Sequence, residues 1–146
     1  MSDRKLTILA VADLHYTGLA RQTAQPPQVR GELARIMLKK VFLRLKHMDV
    51  HPDLTLVLGD VLENGNGRNA QLDNVSIYSE LLLSNIPFLA VPGNHDGDQK
   101  TFDEFFDHPQ NFYTTGGYGF ILYADSYKDS HDCARSETDL LRTLTL

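Results

Sequence analysis

Three short apolar runs in the chain each end in turn-forming and metal-ligating residue types, and no other feature constrains the fold as strongly. The runs cover residues 6–12, 54–58 and 87–92. Runs of this length are typical of strands that a parallel sheet buries on both faces, although their periodicity also fits a short buried helix. The segments between the runs decide the fold class, because they carry helical periodicity.

Two amphipathic helices are predicted between the runs. The first extends from about residue 28 to 48, with cationic residues largely opposite an apolar face that we expect to consist of Leu33, Met37, Val41, Leu45 and Met48. The second carries Leu72, Val75, Tyr78 and Leu82 and ends at Ser84-Asn85, ahead of Pro87. Right-handed crossovers fold this alternation of strands and helices into a parallel sheet covered by helices, so the predicted class is α/β.

The rest of the chain predicts smaller elements. These are a short helix over residues 100–106, a β-hairpin over 112–114 and 119–124, and a last helix that begins at Ser136. Loops at residues 16–27 and 63–68 should overhang the carboxyl edge of the sheet, where the three runs end.

The residues that follow the three runs are expected to meet at that edge, because ligands bind where parallel strands end. The three segments are Asp13-Leu14-His15, Gly59-Asp60-Val61-Leu62-Glu63 and Gly93-Asn94-His95-Asp96. Carboxylate, imidazole and amide donors suit Mn, Fe, Zn, Co or Mg ions. The single cysteine, Cys133, excludes a thiolate cluster. The sequence therefore predicts a site for divalent metal ions.

Each donor has a predicted role in a site for two ions. Asp60 is the natural bridge because a carboxylate has two oxygens and this one follows the middle run. Asp13 and His15 would hold one ion and Asn94 the other. Two ions roughly 3.5–4 Å apart can clamp a phosphate ester and share a bridging hydroxide as nucleophile. The predicted reaction is hydrolysis of a phosphoester, either a monoester or a diester.

His95 is predicted to act as general acid, because it directly follows the ligand Asn94 and should face the substrate. Protonation of the leaving alkoxide contributes about 10²- to 10⁴-fold, and a carboxylate beside the imidazolium would support it. Glu63 or Asp96 would be that carboxylate. The remaining histidines and the loop arginines are assigned to the solvated surface: His47, His51, His108, His131, Arg21, Arg30 and Arg68.

Composition limits the other classes of function. The 146 residues are 42% hydrophobic and 23% charged, which fits one globular domain over residues 1–146. The net charge of -5 gives no reason to expect binding to nucleic acid. The first run is too short for a signal peptide or a membrane span. The expected location is therefore the cytoplasm.

With these three segments in this order, the chain resembles the calcineurin-like metallophosphoesterase superfamily. That superfamily carries an Asp-x-His, a Gly-Asp-x-x-Asp and a Gly-Asn-His-Asp or Gly-Asn-His-Glu, each after a strand. The resemblance covers roughly residues 6–125 and implies a four-layer αββα sandwich with a dinuclear metal site. It implies the same roles for Asp13, His15, Asp60, Asn94 and His95 that the donor chemistry predicts.

Two features depart from the superfamily pattern. Glu63 stands where the superfamily has an aspartate that orients the acid histidine, so its reach differs by one methylene. The superfamily also supplies histidine ligands from a later strand and from a Gly-His-x-His, and neither occurs here. We therefore expect the chain to be the amino-terminal portion of the domain, truncated after the third motif. Self-association or a complementing carboxyl-terminal segment is expected for the same reason.

Two alternatives remain open from the sequence. A catalytically weak remnant or metal-binding interaction module would explain the missing ligands. A phosphorelay receiver-like domain would explain the acidic strand ends, but it explains neither His15 nor Asn94-His95.

Overall fold

A computed structural model of the chain describes residues 5–19, 30–106, 112–124, 126–129, 132–134, 137 and 141. Three strands form a parallel sheet in the order β1, β2, β3: Ile8–Val11, Leu54–Leu58 and Phe88–Val91. Ala10 pairs with Leu56, which pairs on its other side with Leu89. All three predicted strands are confirmed, and β2 lies in the middle of the sheet.

Two helices connect these strands: α1 covers Ala34–His47, after a turn of 3-10 helix at Gly31–Leu33, and α2 covers Ala70–Leu83. Both pack on one face of the sheet, as right-handed crossovers between sequential neighbours require. The α/β fold class is confirmed. The predicted end of α2 is also confirmed, because Asn85 adopts φ 57° just beyond it.

The predicted core face of α1 is wrong. Met37 is 59% exposed and Val41 39% exposed, whereas Leu38 is 3% exposed and packs into the core with Ala34 and Phe42. Both sets of residues recur at helical spacing, so one helix carries two apolar stripes. The stripe that faces the sheet lies one position further along the chain than predicted.

An aromatic cluster fixes α3, Gln99–Asp103, beside the end of β3. Phe102 stacks on Phe106 with ring centroids 4.7 Å apart, and Tyr78 of α2 meets both Phe106 and Phe88 edge-on. The predicted helix over 100–106 is shorter than expected and begins one residue earlier. The contacts of Phe102 and Phe106 anchor the chain directly after Gly93-Asn94-His95-Asp96, the third of the polar segments that follow the strands.

The carboxyl-terminal part of the described chain consists of hairpins. Strands β4, Phe112–Thr115, and β5, Tyr118–Ile121, are antiparallel and joined at Gly116-Gly117, which confirms the predicted hairpin. A further antiparallel pair, β6 and β7, covers Ser126–Asp129 and Asp132–Ala134 and was not predicted. The predicted last helix falls largely outside the described residues, although Glu137 and Leu141 are helical. Within the described ranges, no helix has the length and apolarity to cross a membrane.

Candidate metal centre

The loops that follow β1 and β2 lie side by side beyond the sheet. Backbone N–H groups of Asp13 and His15 donate to the carbonyls of Gly59 and Asp60, at 3.2 and 2.9 Å. Tyr16, which is 2% exposed, continues this pairing. The parallel ladder is therefore extended past the strands, and it carries the first two polar segments into contact.

The third segment joins them through Asp60. The backbone N–H of His95 donates to Asp60 Oδ1 at 3.0 Å. Gly93 permits this approach, because a Cβ placed there would lie 2.2 Å from the same oxygen. Any side chain at position 93 would push the two loops apart.

Asp13, His15 and Asp60 form a group with metal-ligand spacing. One donor atom from each lies within 4.8 Å of the others. His15 Nε2 is 3.9 Å from Asp13 Oδ1 and 3.8 Å from Asp60 Oδ2. Two carboxylate oxygens and one imidazole nitrogen around a common point are a donor set that borderline divalent ions accept. The three residues therefore fit a metal ion.

The same three residues have left-handed backbone conformations, with φ 53° at Asp13, 45° at His15 and 50° at Asp60. Among the described non-glycine residues only Asp49 and Asn85 share this property. Left-handed φ at a residue with a Cβ carries a conformational cost, and such residues concentrate at functional sites. Asp and His adopt left-handed φ more often than most residues with a Cβ, but no local pattern in the sequence marks these three positions.

Glu63 contacts both histidines of the site, in two different ways. Its carboxylate Oε2 lies 2.9 Å from His15 Nδ1, and its backbone carbonyl lies 2.9 Å from His95 Nδ1. A carbonyl only accepts hydrogen bonds, so His95 Nδ1 must carry the proton and donate it. The Nε2 atom of His95 is then the atom available for chemistry.

Asp96 lies inward, 1% exposed, and its carboxylate bonds to backbone groups. It accepts hydrogen bonds from the N–H of Leu62 and of Gly93, both at 2.8 Å. Burial raises the pKa of the Asp96 carboxyl, and these two N–H donors offset part of the rise. The contacts join the second polar segment to the third.

The other predicted residues lie at varied positions. Asn94 is exposed between Gly93 and His95. His51 pairs with Asp49 at the opposite end of the strands, at 2.9 Å, in agreement with the surface assignment. His47 is an exposed end residue of α1, Arg30 pairs with Glu32, and Arg68 is exposed. His108, His131 and Arg21 fall outside the described residues.

Comparison with known proteins identifies relatives of the chain. The sequence model described as calcineurin-like phosphoesterase matches residues 6–141. A "Probable cyclic nucleotide phosphodiesterase" of Moraxella catarrhalis (strain BBH18) is 34% identical over 95 residues, which are 65% of this chain and 29% of that protein. A "Probable glycerophosphodiester phosphodiesterase GpdQ" of Arcobacter nitrofigilis is 28% identical over 103 residues, 70% of this chain and 34% of that protein.

Among solved structures, a dimetal phosphatase from Danio rerio has a similar fold. The match has a TM-score of 0.50 and 20% identity, and it covers 62% of this chain and 30% of the other. This chain therefore spans about a third of the length of the relatives that it matches.

Proposed function

The chain belongs to the calcineurin-like phosphoesterase family, and from this premise we propose that it hydrolyses phosphoesters with divalent metal ions held at the carboxyl edge of β1, β2 and β3. The observation that carries the proposal is the group of Asp13, His15 and Asp60, whose donor atoms lie within 4.8 Å of one another. Their shared left-handed conformation supports the proposal independently of any relative.

Asp13 and His15 would hold the first ion, and Asn94 would contribute to the second. Asp60 would bridge the two, because one of its oxygens faces His15 and the other faces the backbone of His95. The donor types fit Mn, Fe, Zn, Co or Mg. When bound, such ions would supply a bridging hydroxide as nucleophile and neutralise charge on the phosphoryl oxygens.

His95 would donate the proton to the leaving group through Nε2. The carbonyl of Glu63 fixes the ring by accepting from Nδ1, so a protonated His95 presents its second N–H outward. The role of holding the His95 ring, which the sequence predicts for the carboxylate of Glu63 or Asp96, would thus belong to the backbone carbonyl of Glu63. The bond holds the ring at one angle without neutralising the imidazolium charge.

We propose phosphodiesters as the substrate class. The two relatives named above are described as phosphodiesterases, one for cyclic nucleotides and one for glycerophosphodiesters. We also propose a cytoplasmic location, because a chain with the single cysteine Cys133 has no intramolecular disulfide that would require an oxidising compartment.

The test is hydrolysis of bis(p-nitrophenyl) phosphate and of p-nitrophenyl phosphate by the 146-residue chain with Mn²⁺. We expect turnover that requires the metal, favours the diester and is lost in Asp60→Asn but kept in the exposed control Glu104→Gln. Equal activity in Asp60→Asn would contradict the proposal, and preference for the monoester would contradict the substrate class.

A second candidate is a metal-binding interaction module without turnover. The number of donors favours it, because Asp13, His15, Asp60 and Asn94 are four residues for two ions that take about four to six donors each. A separate measurement of Mn²⁺ binding tests this candidate: binding by the wild-type chain that is lost in Asp60→Asn, without hydrolysis of either ester, would identify it.

A further inference from the structure

His15 has one ring nitrogen toward the predicted metal ligands and one buried nitrogen that needs a partner. Nε2 lies 3.8 to 3.9 Å from the carboxylates of Asp60 and Asp13. Nδ1 is buried and makes no well-directed hydrogen bond, although Glu63 Oε2 lies only 2.9 Å away. The distance is that of a hydrogen bond, so it is the angle that falls short, and this angle depends on the rotation of the flexible Glu63 carboxylate.

From this geometry we propose that Glu63 is a positioning residue for His15. Its carboxylate accepts the Nδ1–H of His15, which leaves the Nε2 lone pair directed toward Asp13 and Asp60. Imidazoles that bind metals depend on such a partner, because it fixes both the tautomer and the angle of the ring. The part of the inference that concerns metal binding rests on the proposed function, whereas the part that concerns the tautomer of His15 does not.

The identity of residue 63 explains why the carboxylate serves His15. In the pattern that the chain resembles, an aspartate at this position orients the acid histidine. Here the additional methylene of glutamate carries the carboxylate to His15, while the backbone carbonyl of the same residue takes over the contact with His95. One residue thus sets the orientation of both imidazoles.

A competing interpretation makes Glu63 a ligand. His15, Glu63 and His95 also have donor atoms within 4.8 Å of one another, and all three are half-buried. In that arrangement the carboxylate would contact an ion and would need its negative charge. A neutral amide distinguishes the two interpretations, because its oxygen accepts a hydrogen bond from imidazole but is a poor substitute for a charged ligand.

The first experiment measures the His15 tautomer by ¹⁵N NMR in the metal-free chain at about pH 8, where imidazoles are mostly neutral. We expect Nδ1–H to dominate in the wild-type chain and in Glu63→Gln, and the tautomers to mix in Glu63→Ala. Dominant Nε2–H in the wild-type chain would overturn the proposal. Because no ion is present, this result is independent of whether the chain is a hydrolase.

The second experiment measures Mn²⁺ affinity. Glu63→Ala should weaken it by roughly 10- to 100-fold. Glu63→Gln should weaken it less than Glu63→Asp, whose shorter side chain withdraws from Nδ1. The exposed Glu104→Gln is the matched control and should leave it unchanged. A larger loss in Glu63→Gln than in Glu63→Asp would overturn the positioning role in favour of the ligand role. Unchanged affinity in all three Glu63 variants would also overturn it.

Discussion

At the scale of single residues, the left-handed backbone of the proposed ligands lowers the stability of the fold while it positions their side chains for a metal ion. Asp13 has φ 53°, and its side chain is 71% exposed, so the folded chain gains little from it while no metal is bound. The conformational cost of the Asp13 backbone is compensated only when its carboxylate binds a metal ion.

We predict that Asp13→Gly is more stable than Asp13→Ala by about 1 kcal/mol, because glycine adopts left-handed φ without steric cost. Chemical denaturation of both variants in the presence of a chelator measures the difference. The same pair of substitutions at Gln71, an exposed position in α2, is the control and should show the opposite order. A more stable alanine variant at both positions would contradict the strain at Asp13.

Asp96 illustrates a different balance, in which a buried carboxylate is retained for its hydrogen bonds. Asp96→Ala would leave the N–H groups of Leu62 and Gly93 without their partner, and we expect the free energy of unfolding to fall by about 3 kcal/mol. Glu104→Ala is the exposed control and should change it by less than about 0.5 kcal/mol. Equal stability of the two variants would show that Asp96 does not hold the loops together.

At the scale of elements, the sequence predicted the sheet well and one helix face poorly. The alternation of apolar runs and helical segments leaves few topologies, so the parallel sheet and the convergence of the segments that contain Asp13, Asp60 and Gly93 were predicted from it. In α1 the residues around Met37 and those around Leu38 have equivalent spacing. Periodicity shows that a helix carries apolar stripes, but it does not show which of two stripes packs on the sheet.

The partner of Glu63 was beyond prediction for a related reason. The choice between His15 and His95 depends on one methylene and on where the backbone carbonyl points. Neither quantity is encoded in a local pattern. The left-handed φ of His15 is likewise imposed by the neighbouring loop, whose carbonyls pair with its backbone.

The corrected face of α1 predicts unequal effects of two adjacent substitutions. Leu38→Ala removes a side chain that is 3% exposed and should lower the free energy of unfolding by about 2 to 4 kcal/mol. Met37→Ala, at 59% exposure, should change it by about 0.5 kcal/mol or less. Thermal or denaturant unfolding measures both free energies. A larger loss of stability in Met37→Ala than in Leu38→Ala would show that the face predicted from the sequence packs on the sheet.

At the scale of the whole molecule, the sheet has one face packed against helices and one that carries exposed apolar residues. Leu58 is 50% exposed and Ile8 is 41% exposed, and the strand register places both on the side away from Val57 and Ala90. Exposed apolar side chains on one face of a sheet favour association.

We therefore predict that the 146-residue chain self-associates in solution. Sedimentation velocity at increasing concentration should show species larger than the monomer, and Leu58→Lys should reduce them. The control is Leu83→Lys, a substitution at a 73% exposed position at the end of α2, which should have little effect. A wild-type chain that remains monomeric throughout would contradict this prediction.

The ends of three strands of this chain form the proposed site for divalent metal ions, and titration of Mn²⁺ into the metal-free chain, followed by electron paramagnetic resonance, measures its affinity. We expect His15→Ala and Asp60→Asn each to weaken binding by roughly tenfold or more, whereas substitution of His51, an exposed histidine at the opposite end of the strands, by alanine should leave binding unchanged. Mn²⁺ affinity that is equal in His15→Ala, His51→Ala and the wild-type chain, or no binding by the wild-type chain, would contradict the proposed site.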